Sequence, residues 1–401
     1  MTEHATENAA AGPAEGAAAP EAPPPGAPGP PDAGAGRPGR VRRTARRLRR
    51  VRWTRAAAVL WLAFVLVHLA LSGRWWPMLV PDLAPPIAYL AVPLLLAVLA
   101  VAGRLRRSAP ARRVTFTAVA AAALSLALAW NSTGLQWGVL FHDSPAGAPD
   151  LRVVSWNTRY WGAGADRTRF FRTIRAQHAD VYLLQEYITT YDDGATAQPV
   201  DELAALHRSF PGYRVFVRGE LVTLSRLPVV AAHSVGPGAA VENAHTPWQT
   251  AFDEEKVLRT DVRVHGRTVS LYNVHVPVQI NVGLNPLGSR LYRMMRANDR
   301  ARQSQFAGLA DELRDNGLPT VVAGDFNTSP VMGDLRTLRG MGRDAADAGD
   351  SLYPGTWSLL GAPLWRLDWA FTRGGITADH YRIDPMGDIS DHRAQVMSFT
   401  V

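Results

Sequence analysis

Carboxylates, carboxamides and histidines recur in this sequence where a short apolar run gives way to loop. Asn157 follows LRVVSW, Glu186 follows DVYLLQ and His275 follows SLYNV; Asp325 and Asn327 sit in VVAGDFNTSP, Asp368 in RLDWAF, and Asp391 with His392 in ISDHR. Each alone has a structural alternative, because polar residues at strand ends most often cap helices or close turns. Together they hold the chemistry of hydrolysis at phosphorus. Hard cations such as Mg²⁺ bind through one or two carboxylates plus substrate phosphate, and Glu186 supplies such a ligand with help from Asn157 or Asp391. Asp325 and Asn327, at alternate positions of one extended segment, project to the same side. One can take a proton from water while the other holds that water or a phosphoryl oxygen. The two histidines, His275 and His392, offer imidazolium groups to neutralise charge on the equatorial oxygens.

Positioning these residues requires a sheet, and the C-terminal part of the chain reads as one. Short β-rich runs are predicted at 151–156, 181–184, 213–217, 221–224, 257–264, 268–274, 320–323, 365–371 and 395–401, with helical stretches at 166–177 and about 289–316. Many short strands with few helices indicate a layered α+β sandwich over residues 151–401. With no cysteine in the chain, thiolate nucleophiles, disulfides and Cys-containing zinc sites are excluded, so any metal takes O or N ligands.

The N-terminal part differs in character. Residues 1–55 read as a disordered tail, rich in Ala, Pro and Gly and ending in an arginine run from Arg37 to Arg55. Three apolar stretches without Asp, Glu, Lys or Arg follow, at about 56–72, 84–102 and 114–130, and are expected to be transmembrane helices. The segment 131–150 reads as a linker that frees the C-terminal body from the bilayer. Of the formal net charge of +8, residues 1–113 carry +10 and residues 114–401 carry −2. The basic excess is therefore an orientation signal, not a nucleic-acid groove. Arginine clusters before the first span and between the second and third place the N-terminus in the cytoplasm and the C-terminal body outside the cell membrane, as a multi-pass protein.

Seven motifs occur in order: SWN (Ser155 to Asn157), LLQE (Leu183 to Glu186), LSRLP (Leu224 to Pro228), NVHV (Asn273 to Val276), GDFN (Gly324 to Asn327), RLDW (Arg366 to Trp369) and SDH (Ser390 to His392). This series resembles the endonuclease/exonuclease/phosphatase superfamily. The resemblance implies a DNase I-like four-layer α/β sandwich, two packed β-sheets flanked by helices. It also implies direct attack of water on a phosphate ester with a divalent metal, usually Mg²⁺, with Mn²⁺ as a substitute. Carried over by position, Glu186 is the main metal ligand, with Asn157 in or beside the coordination sphere and Asp391 beside it. Asp325 orients or deprotonates the water, Asn327 positions it or the phosphate, and His392 and His275 contact the phosphate while Asp368 holds a histidine in its productive tautomer.

Members of the superfamily act on DNA, inositol phosphates and sphingomyelin, so the fold does not name the substrate. A near-neutral body on a membrane tether favours a lipid head group over a polyanion, and no stable nucleic-acid partner is expected. The arginine-rich tail, three spans and this domain together resemble the VanJ-type membrane proteins of glycopeptide (teicoplanin) resistance in actinobacteria. That resemblance implies hydrolysis of a polyprenyl pyrophosphate, such as the undecaprenyl carrier, to its monophosphate. Two other functions fit the same residues: an extracytoplasmic metal-dependent nuclease or phosphodiesterase, and a non-catalytic binding or sensor module. Tyr160-Trp161 and the segment 282–296 read either as a rim for an acyl chain or, more simply, as loop packing and a helix start.

Overall fold

The computed structural model describes residues 38–401 except 105–108, 143–146, 191–196, 244, 281–283, 286 and 360, with side chains described outside 38–51 and 103–112. Residues 1–37 of the tail predicted over 1–55 lie outside the described residues. The chain divides into two units, Met1–Arg47 and Leu48–Val401, and every described strand belongs to the second.

The strands in chain order are β1 (Leu151–Asn157), β2 (Val181–Gln185), β3 (Ile188–Thr190), β4 (Ala197–Pro199), β5 (Arg214–Arg218), β6 (Leu221–Ser225), β7 (Val229–Ser234), β8 (Val257–Val264), β9 (Arg267–His275), β10 (Thr320–Asp325), β11 (Arg343–Asp344), β12 (Trp357–Leu359), β13 (Ala362–Trp365), β14 (Asp368–Arg373), β15 (Thr377–Asp384) and β16 (Ala394–Thr400). They form two six-stranded sheets, β15-β16-β1-β2-β6-β5 and β11-β14-β10-β9-β8-β7, beside the small hairpins β3/β4 and β12/β13. Each large sheet is built around one parallel pair, β1 with β2 and β9 with β10, flanked by antiparallel neighbours.

The inner faces of the sheets share one core, in which Leu151, Val153, Val181 and Leu183 meet Val269, Leu271, Val321 and Ala323. The outer face of the first sheet, through Val154, Trp156, Tyr182 and Leu184, is covered by Phe170, Phe171 and Ile174 of one helix and Leu206 of another. On the second sheet Tyr272, Val274 and Val322 pack under Phe306, Leu309 and Leu313. Strands buried on both faces read as near-continuous apolar runs, which is why the central ones stand out in the sequence. The result is the expected four-layer sandwich.

The edge strands are less legible. Neither β7 nor β15 was expected; in TADHYRID the exposed His380 and Arg382 alternate with Asp379, Tyr381 and Ile383, and the buried Asp379 breaks up the apolar half of this edge strand. The predicted run 365–371 splits between β13 and β14. At the break Arg366 turns inward, donates to both carboxylate oxygens of Asp344 at 2.7 and 2.6 Å, and stacks on Trp369 at 3.8 Å. A close approach governs Gly324 in β10, where a Cβ would lie 1.9 Å from the Val274 carbonyl oxygen. Gly324→Ala is expected to cost about 2–4 kcal/mol, read from the urea midpoint. A midpoint unchanged from wild type would show that the β9–β10 spacing gives way.

The helices are α1 (Pro38–Leu71), α2 (Ala88–Arg104), α3 (Ala109–Leu128), α4 (Arg159–Gly162), α5 (Arg167–Arg175), α6 (Leu203–Ser209), α7 (Pro237–Val241), α8 (Trp248–Glu254), α9 (Ser289–Asp315) and α10 (Arg336–Met341). Three features of the N-terminal part correct the expectation. Helix begins at Pro38 and includes most of the arginine run. Among the described residues three full-length spans are not present: Arg52–Leu71 is long and apolar enough to cross a membrane by itself, and a second crossing exists only if a bent helix pair counts as one span. Ala88–Ala102 follows the short helical turns Trp76–Leu83 at a bend of 65°, and Arg113–Leu128 is shorter than a span. Finally, the segment 131–150 is no free linker. Trp137 stacks on Trp130 at 4.7 Å, Gln136 N–H donates to the Leu352 carbonyl, and the Gln136 side-chain carbonyl accepts from Arg366.

Candidate active site

Parallel strands end on the same side, and antiparallel neighbours begin there, so this topology gathers the predicted residues at one end of the sandwich. Asn157 closes β1 and Glu186 follows β2. On the other sheet Asp325 closes β10, in register with His275 at the end of β9 and Asp368 at the start of β14. His392 enters just before β16, which pairs with β1.

Asn157 joins the two sheets. Its Nδ2 donates to Glu186 Oε1 and to Asp325 Oδ2, both at 2.9 Å, and its Oδ1 accepts from Arg159 N–H at 3.0 Å. Behind Glu186 the chain reverses through Arg159, Tyr160 and Trp161, all left-handed, with Glu186 itself at φ 61°. Such conformations cost about 1–3 kcal/mol each and persist only where surroundings hold them. Here the Tyr160 N–H donates to Glu186 Oε2 and the Trp161 N–H to the Glu186 carbonyl, both at 2.8 Å. Trp161 is buried among Phe170, Phe171 and Tyr187, so packing is its role, whereas Tyr160 is 38% exposed at the site.

Asp325 is the hub. It is 1% exposed, and burial pushes its carboxyl above the usual range; Asp368 adds to this, while His392 and His275 pull the other way. Its Oδ1 accepts from Asn327 N–H at 2.8 Å, and its Oδ2 lies 3.6 Å from His392 Nε2 and 3.7 Å from His275 Nε2. Asn327, also left-handed, turns its Nδ2 to the Val276 carbonyl at 2.9 Å. His392 Nδ1 donates to Asp368 Oδ2 at 2.9 Å, so its Nε2 faces Asp325. Burial would push His392 down, but the charges of Asp368 and Asp325 outweigh it and hold the ring up at about 10.

Asp391 stands apart. It is on the rim, where Oδ2 accepts from Trp357 Nε1 at 3.2 Å and Oδ1 lies 3.9 Å from Arg159 Nε, and it makes no hydrogen bond to Glu186 or Asn157 among the described residues. The oxygen set at Glu186 and Asn157 fits a hard divalent ion: no Lys or Arg forms an ion pair with Glu186 among the described residues, which leaves the carboxylate open to a cation. Asp325, Asp368 and His392 also bring ligand atoms within 4.8 Å of one another. In that trio the Asp368–His392 hydrogen bond already employs one ring nitrogen.

Two functional neighbours escaped the sequence reading. Glu220, in the tight turn between β5 and β6, places Oε2 3.1 Å from His275 Nδ1, and Lys256 contacts its other oxygen. Burial pushes Glu220 up, yet His275 and Lys256 together pull it to about 2; burial pushes His275 down, yet Glu220 and Asp325 lift it to about 9. Relative to the unfolded chain, Glu220 contributes stability above 4.5 that is lost as pH falls toward 2. His275 contributes stability below 6.5 that is lost as pH rises through 9. Urea midpoints of the EDTA-treated protein should fall on both sides of that window, and Glu220→Gln should flatten the alkaline fall. An unchanged alkaline slope in the variant would remove this pair as its source.

Two carboxylate–histidine pairs facing a buried aspartate, with an oxygen-lined metal pole beside them, define a metal-dependent phosphoester hydrolase. The chain belongs to the Endonuclease/Exonuclease/phosphatase family, whose model matches residues 154–392. Among solved structures it resembles humanized D. rerio TDP2 (15% identity, 63% of this chain and 99% of that one, TM-score 0.44). It also resembles the 3′ phosphatase NExo from Neisseria bound to product DNA hairpin (15%, 63% and 100%, 0.43) and a mannosyl-6-phosphatase of Bacteroides thetaiotaomicron (15%, 63% and 100%, 0.41). No curated protein matches the chain. The family match begins after the N-terminal helices and does not extend to the features behind the VanJ-type resemblance.

Proposed function

We propose that this hydrolase is anchored in the cytoplasmic membrane and removes phosphate from a phosphorylated lipid, with a polyprenyl pyrophosphate as the favoured substrate. The observation that carries this reading is the seating of the catalytic body on the apolar N-terminal helices. Val65, Leu79 and Tyr89 pack against Leu291, Met295, Val331 and Met332, and the last two lie in the loop that leaves Asn327. Gly333 N–H donates to Ser72 Oγ at 2.9 Å, and Arg336 donates to the carbonyls of Leu69 and Ser72 at 2.7 and 3.1 Å. The helices meet one another through Ala58, Ala100, Ala118 and Ala121, the small-residue contact that membrane helices favour, and turn Leu60, Val98 and Phe116 outward. Such a surface suits lipid, with α1 as a full span and α2 and α3 as shorter companions. The arginine clusters favour a cytoplasmic N-terminus and an external body.

In this reading Glu186, with Asn157 beside it, holds the metal, Mg²⁺ by preference. Held there, a divalent ion would supply Lewis-acid polarisation of a phosphoryl oxygen. Asp325 accepts the proton of the attacking water, and Asn327 positions that water. His392, steadied by Asp368, and His275, steadied by Glu220, donate Nε2–H bonds to the phosphoryl oxygens as charge develops. Asp391 borders the entrance.

The test uses the full chain in liposomes with Mg²⁺, offered undecaprenyl pyrophosphate, sphingomyelin or DNA. Phosphate release from the pyrophosphate is expected. Rapid DNA cleavage without it would turn the assignment to a nuclease, and no turnover of any phosphoester would favour a binding module. A reporter active only outside the cytoplasm, fused after Val401, should be active. The link to glycopeptide resistance predicts that expression raises teicoplanin tolerance and that Asp325→Asn abolishes the gain.

A further inference from the structure

The chain uses arginine at 42 positions and lysine at one, Lys256. That lysine is buried, with 6% of its side chain exposed, directly behind His275. It grips the histidine by two routes. Its backbone carbonyl accepts the His275 N–H at 2.9 Å, and its Nζ contacts Glu220 Oε1 while Glu220 Oε2 faces His275 Nδ1. The ammonium lies 3.9 Å from the centre of the Phe252 ring on α8. The same helix closes on the Glu220 turn, where a Cβ at Gly219 would meet the Ala251 carbonyl at 2.7 Å.

We propose that Lys256 is a positioning residue for hydrolysis, fixing the Glu220 carboxylate so that His275 presents Nε2–H to the phosphate. This role rests on the reading of the site as a phosphoester hydrolase centre with His275 on the phosphate. A carboxylate only 2% exposed is stable as an anion only when paired. Were it protonated, it would place a donor against Nδ1 and reverse the ring's polarity. The residue type also matters. An ammonium is a compact charge that engages one carboxylate oxygen, leaving the second for the imidazole. A guanidinium in the same place would tend to take both in a bidentate pair and release His275. In a chain that otherwise relies on arginine, the one lysine lies where arginine would compete with a histidine for its anchor.

The test is a double-mutant cycle on the full-length, detergent-solubilised protein with Mg²⁺ and bis(4-nitrophenyl) phosphate. Lys256→Met should lower kcat about 10- to 100-fold with KM little changed, and Lys256→Arg should lose activity although it keeps the charge. If Lys256 acts through Glu220, Lys256→Met made on Glu220→Gln adds no further loss. Wild-type kcat in Lys256→Met, or losses that multiply in the double variant, would overturn the proposal. Lys256→Gln, which keeps a hydrogen bond to Glu220 without the charge, replaces Lys256→Met if that variant's melting temperature collapses. Asp325→Asn runs alongside: full activity there defeats the site assignment itself, whereas an inactive Asp325→Asn with a wild-type Lys256→Met defeats only the role of the lysine.

Discussion

Asp325→Asn should lower kcat about 10³-fold while leaving the protein folded, the size expected when a positioned general base is lost. The substitution is isosteric, so packing around the buried side chain is preserved. What it removes is the capacity to accept a proton from water and the negative charge toward which His275 and His392 point at 3.7 and 3.6 Å. An amide nitrogen facing Asn157 Nδ2 would also set donor against donor, loosening the bridge between the sheets. Relief of a costly buried carboxylate offsets the lost acceptor, so the melting temperature of the variant should stay close to that of wild type. Full turnover in a folded variant would require a different base.

Removal of the metal should have a comparable effect. EDTA is expected to abolish turnover, Mg²⁺ or Mn²⁺ to restore it, and Glu186→Gln to raise the Mg²⁺ concentration for half-maximal activity by 10-fold or more, about what weakened metal ligation costs. The Glu186 carboxylate is held by the Tyr160 N–H and Asn157 Nδ2, with no Lys or Arg ion pair among the described residues, so its charge is available to an ion. Asp391→Asn should shift the metal requirement much less, since that carboxylate is engaged at the rim by Trp357 and Arg159. Equal shifts for the two variants would return Asp391 to the coordination sphere.

The sequence carried most of this site because its residues terminate strands. Asn157, Glu186, His275 and Asp325 each end an apolar run in a parallel strand, and the β10 register then sets Asp325 between His275 and Asp368. Glu220 could not be read in this way. Its partner His275 is on the other sheet, and the contact exists only once the β5–β6 turn packs beside the end of β9. Lys256 left a signal in composition, as the single lysine, but no spacing pointed to its partner. In the N-terminal part apolarity marked 84–102 and 114–130 as spans, but the bend before Ala88 and the length of Arg113–Leu128 are properties of the folded backbone.

Gly73 and Gly333 come so close that a Cβ on Gly73 would lie 2.6 Å from the Gly333 carbonyl carbon, and one on Gly333 would lie 2.0 Å from the Ser72 oxygen. With α1 in the bilayer as proposed, the catalytic body is carried on a strut and not a leash. Its mouth keeps a set altitude and tilt above the lipid, so a phosphate is selected first by how far it stands out of the membrane. Search is then two-dimensional, and a bulkier residue at either glycine would act like a change of focal plane, altering which head groups come within reach without touching the chemistry.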